Sequence, residues 1–333
     1  MQIKNKLKRY FQHRFLQQVE QLPIEEQEAI LKELNIFPWE KLLKEKEIST
    51  FNFQSITLQE KAPKSGKNHF GVLILAGGDG SRLNHKEPKA LFEILGKTLL
   101  ERVLEKIDEN RETFVLCSTK NIHAIEAFLK THNLLRKKLH LLCQDDMPLL
   151  DLNQQFFLTE NGLAKGPCGN ADALIKMQPF SHQFEHLIVL PIDNPLADPQ
   201  DVDFLSHHLF HQNEVTIKAI KSEAEANMGL LVQNDNHLEV VEYSDPYFEQ
   251  ALQSSSFYNT GIYCLQSTFL QRLRPTSFHL VKKQNTYKPE GFIFDHFAKA
   301  NKIGLQIDEK SRCFCPLKEP KDIDAILAHL YHV

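Results

Sequence analysis

The sequence predicts an α/β protein built on an open, mixed sheet, and three observations support this. Short, continuous apolar runs alternate with amphipathic stretches, a pattern typical of strands buried on both faces and linked by helices. A glycine-rich turn directly follows the first of these runs. From about residue 215 the helical stretches give way to closely spaced strands, which indicates a β-rich region.

The chain begins with a segment that lacks glycine and predicts helices. Apolar residues recur at helical spacing at Phe11, Phe15, Val19 and Leu22. Pro23 opens a further helix at a tolerated first-turn position, and its apolar stripe is Ile30, Leu31, Leu34 and Ile36. Residues 60–68 are polar, with Pro63 and Gly66, and predict a linker. We therefore expect a helical segment over 1–60 and a larger domain over 61–333.

The larger domain opens with four predicted buried strands: Phe70–Ala76, Phe114–Ser118, Leu139–Cys143 and His186–Leu190. Helices are predicted over Lys97–Ile107 and around Ile122–Lys130. Strands alternating with helices favour right-handed β-α-β units. The β-rich region then contains the predicted strands Val215–Ile220, Met228–Val232, Leu238–Tyr243 and Tyr258–Leu265.

Bulk composition excludes several classes of protein. The 333 residues are 42% hydrophobic and 25% charged, which is ordinary for a globular protein. A net charge of −4 gives no field that would attract a polyanion, so we expect no nucleic-acid partner. No run approaches the ~20 apolar residues of a bilayer span, and no apolar stretch follows the basic N-terminus. We therefore expect neither a membrane partner nor a secretory signal.

The cysteines indicate a reducing compartment. They are scattered, without a C-x-x-C motif, at Cys117, Cys143, Cys168, Cys264, Cys313 and Cys315. In a chain of this length the spacing favours reduced thiols over a disulfide framework or a zinc site. The expected location is the cytoplasm.

The glycine-rich turn is Leu75-Ala-Gly-Gly-Asp-Gly-Ser-Arg-Leu83, and Pro88-Lys89 follows it. Three phosphate-binding motifs are candidates for this segment. The dinucleotide pattern G-x-G-x-x-G fails because Leu83 stands at its third glycine. A Walker A motif ending in Gly96-Lys97-Thr98 fails because Leu91 stands at its first glycine. The pattern that remains is G-G-x-G-[ST]-R, with P-K a few residues later.

This third pattern suits a triphosphate. Glycines let the backbone approach the phosphates, and successive N–H groups form an anion-binding nest. Arg82 and Lys89 add two positive charges. The alternative is an ordinary strand–helix turn with a surface salt bridge. The pattern resembles that of the sugar nucleotidyltransferases, and this implies nucleotide contacts along the turn, at Leu75, Ala76, Gly77, Gly78 and Gly80.

Eight further segments, in family order, resemble the UDP-sugar pyrophosphorylases, most closely the UDP-N-acetylglucosamine pyrophosphorylases of the eukaryotic type. The segments begin at Leu22 (LPIEEQ), Cys143 (CQDDMPLLD), Pro167 (PCGN), Pro191 (PIDNPL), Val240 (VVEYS), His279 (HLVKK), Phe292 (FIFD) and Pro316 (PLK). The resemblance implies a Rossmann-like, GT-A-like nucleotidyltransferase fold. It also implies a sugar-binding subregion over 215–300 and a C-terminal segment, 301–333, that completes the site.

Two departures from the family pattern affect the predicted sugar site. Ala171-Asp172 replaces the paired glycines that follow Asn170 in the family. Asn259-Thr-Gly-Ile262 stands where the family has N-x-G-N, so a second asparagine is missing. Bacterial nucleotidyltransferases also show N-T-G-I, so Asn259 can serve the sugar alone. Sugar specificity is consequently the least determined part of the prediction.

The resemblance implies that UTP and a sugar 1-phosphate react to give a UDP-sugar and pyrophosphate. The nucleophile is already an anion, so catalysis requires positioning and charge stabilisation rather than a general base. Arg82 is assigned to the leaving β,γ-phosphates and Lys89 to the α-phosphate. Asp193 follows a buried strand at the carboxyl edge of the sheet and is predicted to bind Mg²⁺. The alternative for Asp193 is a turn or a helix cap.

The remaining roles also come from the resemblance. Gln144 and Gly169 are expected to contact uracil, because an amide side chain and a backbone group match its donors and acceptors. Lys288 and Lys318 are assigned to the phosphates, with Lys318 among the catalytic cations. The expected sugar contacts are Asn170, Gly229, Glu242 and Asn259. Each of these has a plainer interpretation, as a loop hydrogen bond, a turn glycine, a strand-edge charge or a solvated lysine.

The expected substrate is N-acetylglucosamine 1-phosphate, with glucose or galactose 1-phosphate as the alternative. A non-catalytic UDP-sugar sensor is the alternative from another class of protein, and the intact Arg82, Lys89 and Asp193 disfavour it.

Three other patterns are weaker. His207 and His211 have zinc-site spacing, but a solvated helix face is favoured because no glutamate follows His207. Cys313-Phe-Cys315 alternates like a strand with buried thiols. Phe292 and Phe294 suit either a sugar-pocket wall or sheet core.

Overall fold

The computed structural model describes residues 2–39, 42–43, 53–64, 69–83, 85–223, 225, 228–234, 237–243, 245–283 and 285–331. The chain divides into two compact units. The smaller unit comprises Met1–Ser49, Gln144–Asp172 and Pro275–Asp295, and the larger unit comprises Thr50–Cys143, Ala173–Arg274 and His296–Val333. The two units are defined by contacts within the fold, and each combines three separate stretches of the chain. They therefore do not test the predicted boundary near residue 60, which stays a prediction.

The helices of the described residues are short. The α-helices are α1 Gln2–Arg9, α2 His13–Glu20, α3 Ile24–Leu34, α4 Leu99–Glu105, α5 Ile122–Thr131, α6 Asp172–Met177, α7 Val202–His211, α8 Phe248–Leu252, α9 Ser267–Gln271, α10 Lys310–Cys313 and α11 Ile323–Tyr331. The 3₁₀ helices include Ser81–Leu83, Lys89–Leu91, Gln178–Gln183, Ile293–Lys299 and Pro320–Asp322. None of these helices is long and apolar enough to cross a membrane.

The strands are β1 Phe53–Gln54, β2 Phe70–Leu75, β3 Glu93–Ile94, β4 Lys97–Thr98, β5 Thr113–Cys117, β6 Leu139–Cys143, β7 Asp146–Pro148, β8 Leu150–Asp151, β9 Leu158–Thr159, β10 Gly162–Leu163, β11 Lys165–Pro167, β12 His186–Pro191, β13 Val215–Lys221, β14 Leu230–Asn234, β15 His237–Val241, β16 Phe257–Gln266, β17 His279–Lys283, β18 Thr286–Glu290 and β19 Ile303–Asp308.

A ten-stranded mixed sheet forms the centre of the larger unit, and it confirms the predicted α/β fold. Strands β12, β2, β5 and β6 are parallel neighbours, which is the half predicted from the continuous apolar runs. Strand β16 lies antiparallel to β12, β13 and β14 and joins this half to the β-rich half. The parallel strands β2 and β12 are adjacent, so the turns that follow Leu75 and Pro191 leave the sheet at the same edge. Open α/β sheets bind ligands at that carboxyl edge.

The smaller unit has its own core around the N-terminal helices. Phe156 packs edge to face against both Phe15 and Trp39, with ring centroids 5.7 and 5.8 Å apart. The continuous stripe predicted from Phe11 is wrong at Phe11 itself, which is 75% exposed and has a φ of 58° in the break between α1 and α2. Ile36 is likewise exposed, because α3 ends at Leu34 and the chain turns.

Two further predictions differ from the observed secondary structure. The helix predicted from Lys97 begins only at Leu99, because Thr98 and Glu101 form a capping box and Lys97–Thr98 pair with Glu93–Ile94 as a hairpin. Cys313 ends helix α10 and is not in a strand, although its thiol is buried as predicted. All six cysteines are free. The predicted linker over 60–68 lies partly outside the described residues.

Candidate active site

The glycine-rich turn follows the end of β2 and is stabilised by a backbone hydrogen bond within the turn. The N–H of Ala76 donates to the carbonyl of Leu116 at 2.9 Å, so it still belongs to the sheet. Gly80 has a φ of 70°, a conformation that disfavours side chains, and its carbonyl accepts the N–H of Leu83 at 2.8 Å. The turn therefore requires glycine at position 80 and leads directly into the short 3₁₀ helix that carries Arg82, whose side chain is exposed.

Lys89 is held against the same turn. Its N–H donates to the carbonyl of Gly78 at 3.3 Å, and a Cβ on Gly80 would lie 3.4 Å from its backbone. The side chain is 12% exposed, and its Nζ lies 3.1 Å from Oδ2 of Asp193. The structure thus brings together the lysine and the carboxylate that the sequence placed on separate turns.

Asp193 lies just beyond β12, in a loop that the C-terminal segment holds in place. The carbonyl of Asp193 accepts the N–H of Leu317 at 2.7 Å. The buried side chain of Asn194 donates to the carbonyl of Cys313 at 2.7 Å and accepts from the N–H of Cys315 at 3.1 Å. These three bonds bring the segment that precedes Lys318 onto the loop. Sequence reasoning missed Asn194, although D-N-P in the predicted loop is a turn signal that would direct attention to it.

Lys318 shares an electrostatic environment with four other predicted site residues. Burial is the largest influence and lowers the pKa of Lys318, while the Asp193 carboxylate raises it. Arg82 and Lys89 lower the pKa of Lys318 further, and Glu242 raises it. Three cations and two carboxylates therefore act on one region of the larger unit, which is an arrangement suited to a multiply charged anion.

Three of the predicted sugar contacts also lie together. The N–H of Asn259 donates to the carbonyl of Gly229 at 2.9 Å. A Cβ on Gly229 would lie 2.9 Å from Oε1 of Glu242 and 2.7 Å from Cγ1 of Val240. A side chain at position 229 would therefore displace Val240 and Glu242, and both Asn259 and Glu242 lie beside this glycine.

Ile262, which replaces the second asparagine of the family motif, lies on the opposite face of β16 from Asn259. Ile262 pairs with Lys218 on the neighbouring strand, whereas Asn259 pairs with Ala219, so the two side chains of β16 lie on opposite faces. Ile262 is 1% exposed and packs in the apolar core of the larger unit. The departure at position 262 consequently changes the core rather than the face that carries Asn259.

The other predicted contacts belong to the smaller unit. Gly169 has a φ of 88°, and a Cβ there would lie 2.4 Å from the carbonyl oxygen of Gly291. Oδ1 of Asn170 accepts the N–H of Ile293 at 2.8 Å. The N–H groups of Asn170 and Ala171 share the Gly291 carbonyl, at 3.0 and 3.1 Å. The loop that departs from the family at Ala171 is therefore anchored on the segment around Gly291.

Two further predicted contacts lie in the smaller unit, and they differ in their surroundings. Gln144 is buried and begins the second stretch of chain in this unit, directly after β6. Lys288 lies on β18 and forms an ion pair with Glu290, its Nζ 3.0 Å from Oε1. Phe292 and Phe294 stack in parallel with centroids 5.0 Å apart, and neither lies in a strand, so the sheet-core alternative for this pair is wrong.

His207 and His211 have different surroundings, because His207 is buried and His211 is partly exposed. His207 is buried and its Nε2 lies 3.0 Å from Oε1 of Gln59, so the favoured interpretation as a solvated face is wrong. His211 bonds instead to the carbonyl of Glu60. Within the part of the chain that the structure describes, no three His, Cys, Asp or Glu residues cluster as metal ligands.

Comparison with known proteins identifies the family. The MobA-like NTP transferase domain matches residues 72–256, which is more than half of the chain and includes the glycine-rich turn, Lys89 and Asp193. This chain belongs to that family. It is a nucleotidyltransferase, as the glycine-rich turn predicted.

Curated relatives support the predicted branch. The chain is 27% identical over 277 residues to the probable UDP-N-acetylglucosamine pyrophosphorylase of Encephalitozoon cuniculi, covering 76% of this chain and 81% of the relative. It is 26% identical to the UDP-N-acetylglucosamine pyrophosphorylase of Saccharomyces cerevisiae over 76% of this chain and 65% of that protein. The bifunctional protein GlmU of Desulfitobacterium hafniense is 27% identical, and this chain spans 47% of its length. The predicted membership of the UDP-sugar pyrophosphorylase family is confirmed.

Solved structures share the fold. The putative UDP-N-acetylglucosamine pyrophosphorylase from Entamoeba histolytica superposes with a TM-score of 0.65 at 21% identity, over 80% of this chain and 81% of that one. The UDP-glucose phosphorylase from Trypanosoma brucei superposes with a TM-score of 0.69 at 17% identity, over 81% and 69% of the two chains. The Rossmann-like nucleotidyltransferase fold is thus confirmed.

Proposed function

We propose that this chain is a Mg²⁺-dependent, cytoplasmic uridylyltransferase that converts UTP and N-acetylglucosamine 1-phosphate to UDP-N-acetylglucosamine and pyrophosphate. The observation that carries the chemistry is the convergence of Lys89, Asp193 and Lys318 beside the glycine-rich turn. The curated relatives from Encephalitozoon and Saccharomyces carry the choice of sugar, since both are named for it.

In the proposed reaction, a phosphate oxygen of the sugar 1-phosphate forms a bond to the α-phosphorus of UTP. The bond from that phosphorus to the bridging oxygen breaks, and its electron pair leaves with pyrophosphate. No proton has to move at the nucleophile, so the residues act by holding anions together in line. Lys89 is assigned to the α-phosphate and Arg82 to the leaving phosphates. Lys318 is assigned to the negative charge that develops on these phosphates during the reaction.

The residues present suit one magnesium ion. Mg²⁺ is commonly bound by one or two carboxylates together with phosphate oxygens and water, so a full set of protein ligands is not needed. Asp193 offers such a carboxylate, and 26% of its side chain is exposed. When bound, the ion would neutralise phosphate charge and orient the phosphates.

The sugar is assigned to the group formed by Gly229, Glu242 and Asn259. A carboxylate accepts hydrogen bonds from two sugar hydroxyls. Gly229 is buried, and the absence of a side chain there lets Glu242 approach its backbone closely. Asn170 stays a predicted contact of the sugar and Lys288 a predicted contact of the phosphates, while Gln144 and Gly169 stay predicted contacts of uracil. Leu75, Ala76, Gly77, Gly78 and Gly80 stay predicted contacts of the nucleotide.

Pyrophosphate release by the purified protein tests the proposal, with UTP and the 1-phosphates of N-acetylglucosamine, glucose and galactose offered separately. We expect the highest kcat/KM with N-acetylglucosamine 1-phosphate. Preference for glucose or galactose 1-phosphate would contradict the sugar assignment and leave the chemistry intact. UDP-sugar binding without turnover on any sugar would favour the non-catalytic sensor.

A further inference from the structure

Strand β16 carries a bulge beside the proposed sugar group. Lys218 of β13 pairs with Ile262, but the next residue, Ala219, pairs with Asn259. Thr260 and Gly261 are therefore extra residues on β16, and Gly261 has a φ of 77°. Bulges of this kind bend a strand and re-aim its side chains, and they are frequent next to active sites.

The bulge brings two side chains into contact that a regular strand would separate. Residues four apart on an extended strand share a face but lie about 13 Å apart. Here Nδ2 of Asn259 donates to the hydroxyl of Tyr263 at 2.8 Å. The contact exists only because the backbone between the two residues is folded out of the ladder.

Hydrogen bonds inside the bulge hold this geometry. The hydroxyl of Thr260 donates to the carbonyl of Lys218 at 2.6 Å and accepts from the N–H of Ile262 at 3.3 Å. The N–H of Gly261 donates to Oδ1 of Asn259 at 3.0 Å. The amide of Asn259 is thus oriented at both ends, with its oxygen on Gly261 and its nitrogen on Tyr263.

Tyr263 is itself held firmly. It is 2% exposed, and its ring packs edge to face against Phe297, with centroids 4.9 Å apart and an interplanar angle of 78°. The phenol therefore offers Asn259 a fixed acceptor. An amide has two N–H groups and two acceptor lone pairs on its oxygen, so Asn259 retains one donor and one acceptor position for a ligand.

We propose that Tyr263 is a positioning residue, which orients the Asn259 amide so that its remaining donor and acceptor meet polar groups of the sugar 1-phosphate. This inference rests on the proposed function. Tyr263 acts through Asn259 and does not touch the substrate. Its effect therefore falls on the sugar substrate and not on the nucleotide.

The variant Tyr263→Phe tests the proposal because it removes the hydroxyl and keeps the packing against Phe297. We expect the KM for the sugar 1-phosphate to rise about three- to tenfold, the range of one neutral hydrogen bond, while the KM for UTP stays within about twofold. Tyr258→Phe is the matched control, since Tyr258 is a buried tyrosine on the same strand. It should leave the ratio of the two KM values unchanged. Equal increases in both KM values for Tyr263→Phe would overturn the proposal.

A double-mutant cycle separates positioning from an independent role. If Tyr263 acts only through Asn259, the double variant Asn259→Ala/Tyr263→Phe should have the same sugar KM as Asn259→Ala alone. Effects that multiply would show that Tyr263 acts independently of Asn259 and would overturn the inference.

A measurement on the unliganded protein keeps this inference distinct from the proposed function. If the wild type turns over none of the sugar 1-phosphates, the proposed function fails on that result alone. The side-chain amide of Asn259 can then be followed by NMR. Its hydrogen exchange should be slow in the wild type and at least about tenfold faster in Tyr263→Phe. Equal exchange rates in the two proteins would overturn the positioning role.

Discussion

Nζ of Lys89 lies 3.1 Å from Oδ2 of Asp193, although 104 residues separate the two in the sequence. Lys89 follows the turn after β2, and Asp193 lies in the loop after β12. Strands β2 and β12 are parallel neighbours in the sheet. Both side chains are largely shielded from water, so each holds the other in position more effectively than an exposed pair would. In the proposed reaction, these two residues serve the α-phosphate and the magnesium ion.

The first prediction concerns Lys89. The variant Lys89→Ala should lower kcat by about 10²- to 10³-fold while UDP-sugar binding weakens only modestly, because the cation acts chiefly on charge that develops in the transition state. Steady-state kinetics and calorimetric titration with the UDP-sugar measure the two effects. Lys97→Ala is the control, since Lys97 is half exposed and pairs with Glu105 on the surface. Loss of binding and turnover in equal proportion would contradict the transition-state role.

The second prediction concerns the metal. EDTA should abolish pyrophosphate release, and added Mg²⁺ should restore it, because the proposed chemistry needs neutralisation of phosphate charge. The variant Asp193→Asn keeps the shape of the side chain and removes its charge, so it should need a higher Mg²⁺ concentration for half-maximal rate. A magnesium titration of both proteins measures this. Full activity of the wild type in EDTA would remove Asp193 from the proposed mechanism.

The third prediction uses the crowding at Gly229. A methyl group there would lie 2.7 Å from Val240 and 2.9 Å from Glu242, so Gly229→Ala should displace the Glu242 carboxylate. We expect the KM for the sugar 1-phosphate to rise about tenfold or more, with a smaller change for UTP. Gly166→Ala is the control, because a Cβ there first meets the flexible side chain of Leu149 at 3.4 Å. Equal sugar KM values in the two variants would contradict the placement of the sugar at Gly229.

The fourth prediction concerns stability against pH. His208 is fully buried, and its ring nitrogens lie 3.0 Å from His186 and 2.8 Å from Thr216. Burial, with His186 and His207 nearby, lowers the pKa of His208 to about 3, and burial beside His211 lowers the pKa of His207 to about 4. An unfolded histidine has a pKa near 6.5, so below that pH the unfolded chain binds more protons than the folded one.

The free energy of unfolding should therefore be highest above about pH 6.5 and should fall by roughly 2 kcal/mol per buried histidine by about pH 5. Urea denaturation at both ends of this range measures the loss. The variant His208→Gln cannot titrate, so it should lose less stability over the same range than the wild type does. An identical loss in both proteins would show that His208 does not carry this dependence.

The parallel half of the sheet was predictable because its signals are local. Strands β2, β5, β6 and β12 are continuous apolar runs, and the predicted bounds of β6 are the observed ones. The start of α4 was also available from sequence, since Thr98-x-x-Glu101 is a capping-box pattern. Phe11 was not predictable from periodicity, because the break between α1 and α2 interrupts the helical spacing that it fits.

The β-rich half contains contacts that local sequence patterns do not predict. Asn259 was predicted as a sugar contact, but the bulge that joins it to Tyr263 depends on the register of β16 against β13. Register is a relation between strands, and neither strand encodes it alone. For the same reason, the sequence could not show that Ile262 faces the core, or that His207 is buried against Gln59.

Composition, apolar runs and the glycine-rich turn were enough to predict the α/β fold and a phosphate-binding turn, because strand burial and backbone access for phosphate are properties of a few consecutive residues. The nucleotidyltransferase family was predicted from the resemblance of that turn to the family's pattern. The 13 glycines are few, and Gly80, Gly169 and Gly229 lie where backbone conformation or a close neighbour excludes a side chain. Only the folded chain decided that Lys89 meets Asp193, that Asn194 binds the C-terminal segment, and that Tyr263 orients Asn259. These contacts join residues through sheet order, strand register and a bulge, and such relations arise only when distant segments pack together.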